Sequence, residues 1–356
     1  MIEQYLNDAV SKKASDVFIV PGMPVSFKVN GQIVNADSKS LKKEDTDAMI
    51  QDIYRLAANR SMEHLQITGD DDLSFAIQGL ARFRTSIMRQ RGSLAAVIRV
   101  VNFNIPSSDS LRIPQEVIRL SEFKKGLILV TGAAGSGKST TLACIIDKIN
   151  HTRNAHIITL EDPIEYLHRH DKSVVTQREI GLDTESYVTG LRSSLRQAPD
   201  VILLGEMRDY ETIRTAVTAA ETGHLVISTL HTTGAANSID RIVDVFPPDG
   251  QHQIRIQLAM VLQAVVSQQL IPAVDGSMVP AFEIMFLNDA IRTMIREGKI
   301  HQVDNVIASS VSEGMISINA YLMKLMRDEV ISRDACISFS TDPEQMKLRL
   351  VRGHMY

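Results

Sequence analysis

Cysteine and tryptophan are scarce in this chain. Its 356 residues include two cysteines, Cys144 and Cys336, and no tryptophan. Two distant cysteines exclude a disulfide framework and a zinc site built from four cysteines, and they are typical of a reducing compartment. The N-terminal segment has no apolar stretch, so we expect no signal peptide. No run approaches the roughly 18 apolar residues of a membrane span, so we expect a soluble, cytoplasmic protein.

An excess of basic residues is also missing. The formal net charge is −4, which lacks the overall positive charge of most nucleic-acid-binding proteins but does not exclude a local basic patch. Hydrophobic residues make up 44% of the chain and charged residues 22%, so the chain can bury a core and is not disordered. Its length exceeds what one core usually serves, so we expect two domains.

The first hundred residues alternate between helical and strand-like patterns. They predict helices over 2–13 and 44–66, a turn at Asn30-Gly31, and strands over 17–20, 25–29, 32–34, 73–78, 81–88 and 94–101. Helices beside a mostly antiparallel sheet make a small α+β domain over 1–101. Residues 102–115 contain two prolines, two asparagines and three serines, a composition typical of a linker.

From residue 116 strands and helices alternate. The predicted strands are 126–130, 156–160, 201–204 and 225–228, and the predicted helices are 138–150, 185–197, 209–221 and 234–244. A helical part over 288–356 follows, with helices at 289–297, 302–309, 316–327 and 332–338. This alternation of strands and helices predicts an α/β domain over 116–356 with a mostly parallel sheet covered on both faces.

A glycine-rich loop joins the first strand and helix of this second domain. The segment Gly132-Ala133-Ala134-Gly135-Ser136-Gly137-Lys138-Ser139, followed by Thr140, fits the phosphate-binding pattern G-x4-G-K-[ST] known as Walker A. Glycines let backbone N–H groups surround a β-phosphate, and the helix N-terminus adds positive potential. Lys138 would contact the β- and γ-oxygens, and the Ser139 hydroxyl would be a Mg²⁺ ligand. We therefore expect the chain to bind a nucleoside triphosphate.

Polar residues gather around the later strands of this domain. The candidates are Glu161, Asp162 and Glu165 after strand 156–160, Glu206 after strand 201–204, and His224 and His231 at the start and end of strand 225–228. Ligands of open α/β sheets bind beyond the carboxyl ends of the strands. A turn, a surface carboxylate and a structural histidine are the alternatives at Asp162, Glu206 and His231. Their joint occurrence after a Walker A loop predicts hydrolysis of the triphosphate.

Arginines gather in the first domain. No acidic residue lies between Asp72 and Asp109, a stretch that contains Arg82, Arg84, Arg89, Arg91 and Arg99. We interpret these arginines as unpaired and available to an anion, either nucleic acid or the γ-phosphate of a neighbouring subunit; a solvated basic face is the alternative. An arginine that reaches the transferred phosphoryl group contributes about 10³–10⁵ in rate, so its supply by a neighbour would restrict hydrolysis to an assembled ring.

Two further arginines precede the strand that leads to Glu206. Arg192 and Arg196 are four residues apart within the predicted helix 185–197, so they are expected to share one helix face. That face is a candidate to point at a bound nucleotide.

Together these segments resemble the secretion-ATPase superfamily, and within it the motors that retract type IV pili. The matching stretches are 131–141, 156–166, 175–186, 195–212, 218–233 and 289–300. In that family they include the Walker A, Asp-box, Walker B and His-box motifs, and a helix needed for retraction. The resemblance implies a RecA-like P-loop ATPase domain preceded by a PAS-like domain. It also implies a homohexameric ring at the inner-membrane base of a pilus, where ATP hydrolysis removes pilin subunits and drives twitching motility.

The resemblance implies roles for individual residues. Glu165 would be the catalytic base, Glu206 would support Mg²⁺ and the attacking water, and His224 and His231 would form the His box. Arg84 and Arg99 would reach nucleotide across subunits, assisted by Arg192 and Arg196, while Arg292 and Arg296 mark the helix needed for retraction. Ala133-Ala134 replaces a Pro-Thr pair that is usual in relatives. Backbone amides bind the phosphate, so little effect is expected.

The implied partners are other copies of the chain, a pilus platform protein and, indirectly, pilin. Contact with the cytoplasmic membrane would be peripheral, and no nucleic acid is expected. Extension ATPases typically have a longer N-terminal region and a four-cysteine zinc element, so retraction is favoured over extension.

Three alternatives stay open. One is a paralogous pilus or type IV secretion ATPase. A nucleic-acid motor would bind single-stranded DNA in a salt-dependent way, and a nucleotide-gated scaffold would bind ATP without releasing phosphate.

Overall fold

The computed structural model describes residues 2–29, 31–101 and 105–352. It divides into two compact units, residues 1–104 with 165–167 and residues 105–164 with 168–356. The division at 104/105 falls within the predicted linker. Asn30 of the predicted turn, residues 102–104 of the linker and residues 353–356 lie outside the described residues. No helix in the described part combines the length and apolar composition that a membrane crossing requires.

The first unit consists of an antiparallel sheet with helices. Its elements are α1 (Ile2–Ser11), β1 (Asp16–Ile19), β2 (Ser26–Val29), β3 (Gln32–Asn35), α2 (Lys43–Leu56), α3 (Glu63–Thr68), β4 (Asp70–Ile77), β5 (Ala81–Gln90) and β6 (Ser93–Val101). The strand order is β3-β2-β1-β6-β5-β4. Alternate strand residues such as Phe27 and Phe83 point into one core that also contains Ile2 and Ile50. The predicted α+β class is confirmed.

One predicted helix of this unit is two helices. The pattern over 44–66 continues through the break between α2 and α3, but Ala58 and Asn59 have φ angles of 57° and 56°. A left-handed backbone cannot continue an α-helix, so α2 ends before these residues.

The second unit is an α/β domain. Its elements are α4 (Gln115–Ile118), β7 (Gly126–Thr131), α5 (Lys138–Thr152), β8 (His156–Glu161), β9 (Val174–Glu179), α6 (Tyr187–Ser194), β10 (Val201–Leu204), α7 (Tyr210–Glu221), β11 (Leu225–Leu230), α8 (Ala235–Asp244), α9 (Gln251–Val261), β12 (Leu262–Pro272), β13 (Met278–Phe286), α10 (Asp289–Glu297), α11 (Val303–Ser309), α12 (Ile318–Arg327), α13 (Arg333–Ser338) and α14 (Pro343–Arg352).

The sheet of the second unit has the strand order β13-β12-β7-β11-β10-β8-β9. All its neighbouring strands are parallel except β12 and β13. Side chains of β7 alternate between two cores, with Leu127 and Leu129 in one and Ile128 and Val130 in the other. The predicted parallel sheet with both faces covered is therefore confirmed.

Several elements have no counterpart in the prediction, namely α4, β9, α9, β12, β13 and α14. The pairing of β12 with β7 contains a register irregularity between Leu262 and Ala264. Beyond it, Val265 joins one core and Val266 the other, so β12 contributes to both faces of the sheet.

Candidate nucleotide-binding and active site

The phosphate loop connects β7 to α5 and is folded around Lys138. Lys138 Nζ donates to the carbonyl oxygens of Gly132 and Ala133, each at 2.9 Å. Gly132 and Gly137 have φ angles of 143° and 86°, a region that residues with a Cβ rarely adopt. The lysine side chain is buried. Its ammonium group therefore lies enclosed by the loop that should bind phosphate.

The loop also has a helix N-terminus and a buried hydroxyl. The N-cap residue of α5 is Gly137, which has no side chain to cap the helix, and a helix N-terminus favours an anion. Ser136 Oγ is buried and has no hydrogen-bond partner within the described residues. Ser139 and Thr140 are half-buried in the first turn of α5. An ammonium, a helix N-terminus and the Ser136 hydroxyl together fit a nucleoside di- or triphosphate.

A cavity of about 430 Å³ lies beside this loop. Its lining includes Arg112, Gly137, Thr140, Met278 and Pro280. This volume and mixed lining are typical of a small-molecule site.

Glu206 is in contact with two cationic or ionisable side chains. Its Oε2 lies 3.3 Å from His231 Nε2 and 2.7 Å from Arg208 Nε. Glu206 follows β10 and His231 follows β11, and these strands are neighbours. The structure thus brings two of the predicted residues together and adds Arg208, which sequence reasoning missed although it lies two residues after Glu206.

Glu161 is fixed at the end of β8. It accepts hydrogen bonds from Thr159 Oγ1 at 2.6 Å and from Gln177 Nε2 at 3.2 Å. Asp162 is exposed and is joined to Pro163 by a cis peptide bond. The carboxylate of Glu161 is therefore oriented by its own strand and by β9.

β9 also fixes the loop that contains Glu165. The Ile164 N–H donates to Glu179 Oε2 at 3.2 Å, and the His168 N–H donates to Gln177 Oε1 at 2.8 Å. These bonds lie on both sides of Glu165, which is exposed. Because β9 was not predicted, the residues that hold this loop were missed as well.

Tyr187 is a further residue that sequence reasoning missed. A Cβ added to Gly205 would lie 2.7 Å from the Tyr187 hydroxyl. Burial raises the pKa of Tyr187 most, and the negative charges of Glu206, Asp162 and Glu161 raise it further. A neutral hydroxyl therefore lies within the electrostatic field of three predicted acidic site residues.

His224 is not brought to this site within one chain. Its Nδ1 lies 2.9 Å from the Ala219 carbonyl oxygen, and its own carbonyl accepts the N–H of Gly126 at the start of β7. The phosphate loop follows the other end of β7. Within one chain a strand therefore separates His224 from the phosphate loop, and its assignment to the nucleotide site stays a prediction.

Arg192 and Arg196 do not share a helix face. α6 ends at Ser194, so Arg196 lies beyond it and donates to the Arg192 carbonyl oxygen at 3.1 Å. Arg192 Nη2 pairs with Glu211 Oε2 of α7 at 2.8 Å. Both arginines thus have partners inside the chain.

Arg84 and Arg99 are cross-strand partners on β5 and β6. With Asp16 and Asp72 they line a cavity of about 260 Å³. Arg99 Nε lies 3.4 Å from Asp16 Oδ1. The interpretation of these arginines as unpaired is therefore wrong for Arg99. Its partner, Asp16, lies far upstream of the stretch that has no acidic residue, so the sequence pattern did not reveal the pair.

The two arginines of α10 differ in their contacts, since one bonds to α9 and the other stays within α10. Arg292 Nη1 donates to the Ala259 carbonyl oxygen in the last turn of α9 at 2.6 Å, and Arg296 Nη2 donates to Thr293 Oγ1 at 3.2 Å. A cation at a helix C-terminus satisfies a free carbonyl, so Arg292 attaches α10 to α9.

The chain is similar to known pilus ATPases. Over 343 residues the chain is 41% identical to the type IV pilus retraction ATPase PilT of Pseudomonas aeruginosa, covering 96% of this chain and 99% of that protein. It is 36% identical to the type IV pilus ATPase PilU of the same organism over 354 residues, 99% of this chain and 91% of that one. A crystal structure of the pilus retraction motor PilT with bound ADP matches with a TM-score of 0.88 and 43% identity, over 97% of this chain and 98% of that chain.

A family model also matches most of the chain. Residues 1–332 fit the model described as type II/IV secretion system protein. The resemblance inferred from the sequence motifs is thus confirmed, and the chain belongs to the type II/IV secretion system protein family.

Proposed function

We propose that this chain is a motor ATPase that hydrolyses ATP to ADP and phosphate and thereby powers retraction of a type IV pilus. The observation that carries the proposal is the phosphate loop closed around Lys138, in a chain that matches a pilus retraction ATPase along nearly all of its length. The Glu206–His231 pair at the ends of neighbouring strands supports hydrolysis in addition to binding.

ATP binds with its phosphates at the first turn of α5 and its nucleoside part in the cavity beside Thr140. Mg²⁺, when bound, neutralises charge on the β- and γ-oxygens. Ser139 would hold the ion, and Glu206 would support the ion and the attacking water. Glu165 takes the proton of the attacking water, and His231 responds to the γ-phosphate.

The active form is a homohexamer in which Arg84 and Arg99 of one subunit reach the nucleotide of the next. Charge that develops on the transferred phosphoryl group then depends on the neighbouring subunit for stabilisation. The ring works on the cytoplasmic side of the membrane, at the platform protein of the pilus, and removes pilin subunits to produce twitching motility.

Deletion of the gene tests the direction of the motor. We expect cells without it to display surplus surface pili and to lose twitching motility. Cells without pili would instead identify an assembly motor and contradict the proposal. Cells with normal motility would favour an accessory paralogue, which the similarity to PilU makes the second candidate.

A further inference from the structure

Gln268 is a buried amide on β12 that contacts the phosphate loop. The preceding residue, Ser267, pairs with Thr131 at the end of β7, so Gln268 lies beside the first residue of the loop. Gln268 is buried, with 3% of the residue exposed. Burial of an amide lowers the stability of the fold unless its polar atoms are hydrogen-bonded. The hydrogen-bond partners of Gln268 therefore indicate which segments it holds in place.

Both ends of this amide bind the loop or the helix that follows it. Gln268 Nε2 donates to the Ser136 carbonyl oxygen at 2.7 Å, and Thr141 Oγ1 donates to Gln268 Oε1 at 2.7 Å. Ser136 is in the phosphate loop and Thr141 is in the second turn of α5. One side chain therefore links the loop to the first turns of its helix.

The glycines of the loop also fit around Gln268. A Cβ at Gly132 would overlap the Gln268 carbonyl oxygen, and a Cβ at Gly137 would lie 2.9 Å from Gln268 Nε2. The backbone of Gln268 therefore leaves no room for a side chain at Gly132, and its amide lies close to Gly137.

We propose that Gln268 is a positioning residue that orients the Gly137 N–H towards the phosphate before nucleotide binds. In a trans peptide the C=O and the following N–H point in opposite directions. The bond from Gln268 to the Ser136 carbonyl therefore turns the Gly137 N–H away from β12. This inference rests on the proposed ATPase function and adds a residue outside the motif to its binding site.

The role predicts a change in nucleotide affinity rather than in the chemical step. In Gln268→Glu the Thr141 bond can persist, but a carboxylate oxygen faces the Ser136 carbonyl in place of a donor. Gln268→Met removes both bonds. In both variants the Ser136 carbonyl loses its buried donor, so the conformation of the phosphate loop is less well held. We therefore expect the Kd for ADP to rise about tenfold or more. kcat should change much less than KM.

The experiment is titration of the purified full chain with a fluorescent ADP analogue, well below the thermal midpoint of each variant. Gln269→Glu and Gln269→Met are matched controls, because Gln269 is the next residue of the strand and therefore points to the other face. Unfolding without nucleotide is measured in parallel. A merely structural role would lower the thermal midpoint but leave the Kd of the folded protein unchanged, which would overturn the inference.

Variants of Thr141 test the positioning role of Gln268 if both Gln268 variants fail to fold. Thr141→Val removes the hydroxyl that holds the amide, and Thr141→Ser keeps it. Weaker binding in the valine variant with normal binding in the serine variant supports the inference, and equal binding overturns it. Wild-type protein that binds no analogue would contradict the proposed function itself, so the two failures are distinguishable.

Discussion

Ser267 and Glu283 are cross-strand partners on β12 and β13, and they accept two consecutive N–H groups at the start of α8. Ser267 Oγ accepts the Gly234 N–H at 2.9 Å, and Glu283 Oε1 accepts the Ala235 N–H at 2.8 Å. The pair therefore holds the loop that begins at His231. Glu283 is buried, and burial is the largest cause that raises its pKa.

Replacement of Glu283 tests this anchoring. Glu283→Ala leaves the Ala235 N–H without an acceptor, so we expect the free energy of unfolding to fall by about 1–3 kcal/mol. Glu283→Gln keeps an acceptor oxygen and should lose clearly less. Guanidinium unfolding curves give both values. Equal losses in the two variants would show that the acceptor is not what stabilises this loop.

Glu165→Gln tests the assignment of the base. The amide cannot take a proton from water but has nearly the same size, so phosphate release should fall to background while ADP binding is retained. Glu185→Gln, which also changes an exposed glutamate of the chain, is the control and should keep wild-type turnover. Unchanged turnover in Glu165→Gln would remove the assignment.

Arg84→Ala and Arg99→Ala test the contribution of a neighbouring subunit. If these side chains reach the transferred phosphoryl group, turnover by the assembled protein should drop by about 10³–10⁵. Arg91→Ala, at an exposed position between β5 and β6, should have little effect. The hypothesis fails if a dilute, monomeric sample of the wild-type protein hydrolyses ATP at the full rate.

Gly205→Ala tests the close approach of Tyr187. The new Cβ would lie 2.7 Å from the Tyr187 hydroxyl, which forces the Glu206 loop or the tyrosine to move. We expect lower turnover and lower thermal stability. The double variant with Tyr187→Phe should recover part of both, because the overlapping oxygen is gone. Absence of any recovery would place the cause elsewhere, for example at the Leu160 carbonyl oxygen, 3.3 Å from the same Cβ.

His168 predicts a pH dependence of stability. Burial, and to a smaller extent the charge of His151, lower the pKa of His168 to about 4. Between about 4 and the ordinary value of 6.5 the unfolded chain binds a proton that the folded chain does not. Stability should therefore fall as the pH decreases through this window, by up to roughly 1.4 kcal/mol per unit.

The comparison of His168→Gln with wild type isolates this effect. Unfolding free energies at pH 7, 6 and 5 should show a shallower loss in the variant, while His252→Gln, at an exposed position, should follow wild type. Parallel curves for all three proteins would contradict the role of His168.

The sequence predicted the parts of the site that depend on local pattern. The Walker A loop and the carboxyl ends of β10 and β11 are set by neighbours in the chain, so Lys138, Glu206 and His231 could be identified. Gln268 could not, because its bond to Ser136 joins residues 132 positions apart. β9 was missed for another reason: its exposed or half-buried residues, among them Gln177, give no apolar run.

One error came from the uncertain end of a helix. Arg196 was placed in a helix that ends at Ser194. Helix propensity continues past that point, and a turn bonded from the Arg196 N–H to the Ser193 carbonyl replaces the helical bond.

Beyond the irregularity between Leu262 and Ala264, the pairing of β12 with β7 is regular, so the directions of its side chains depend on chain length there. Ser267 and Gln268 point to opposite faces, one towards α8 and the other towards α5. Loss of one residue between Ala264 and Ser267 would exchange these directions. Such a deletion would thus detach the loops on both sides of the sheet at once, whereas a deletion in the turn after Pro272 would spare both. Natural variation in length should accordingly be absent between Ala264 and Gln268 and tolerated at residues 273–277.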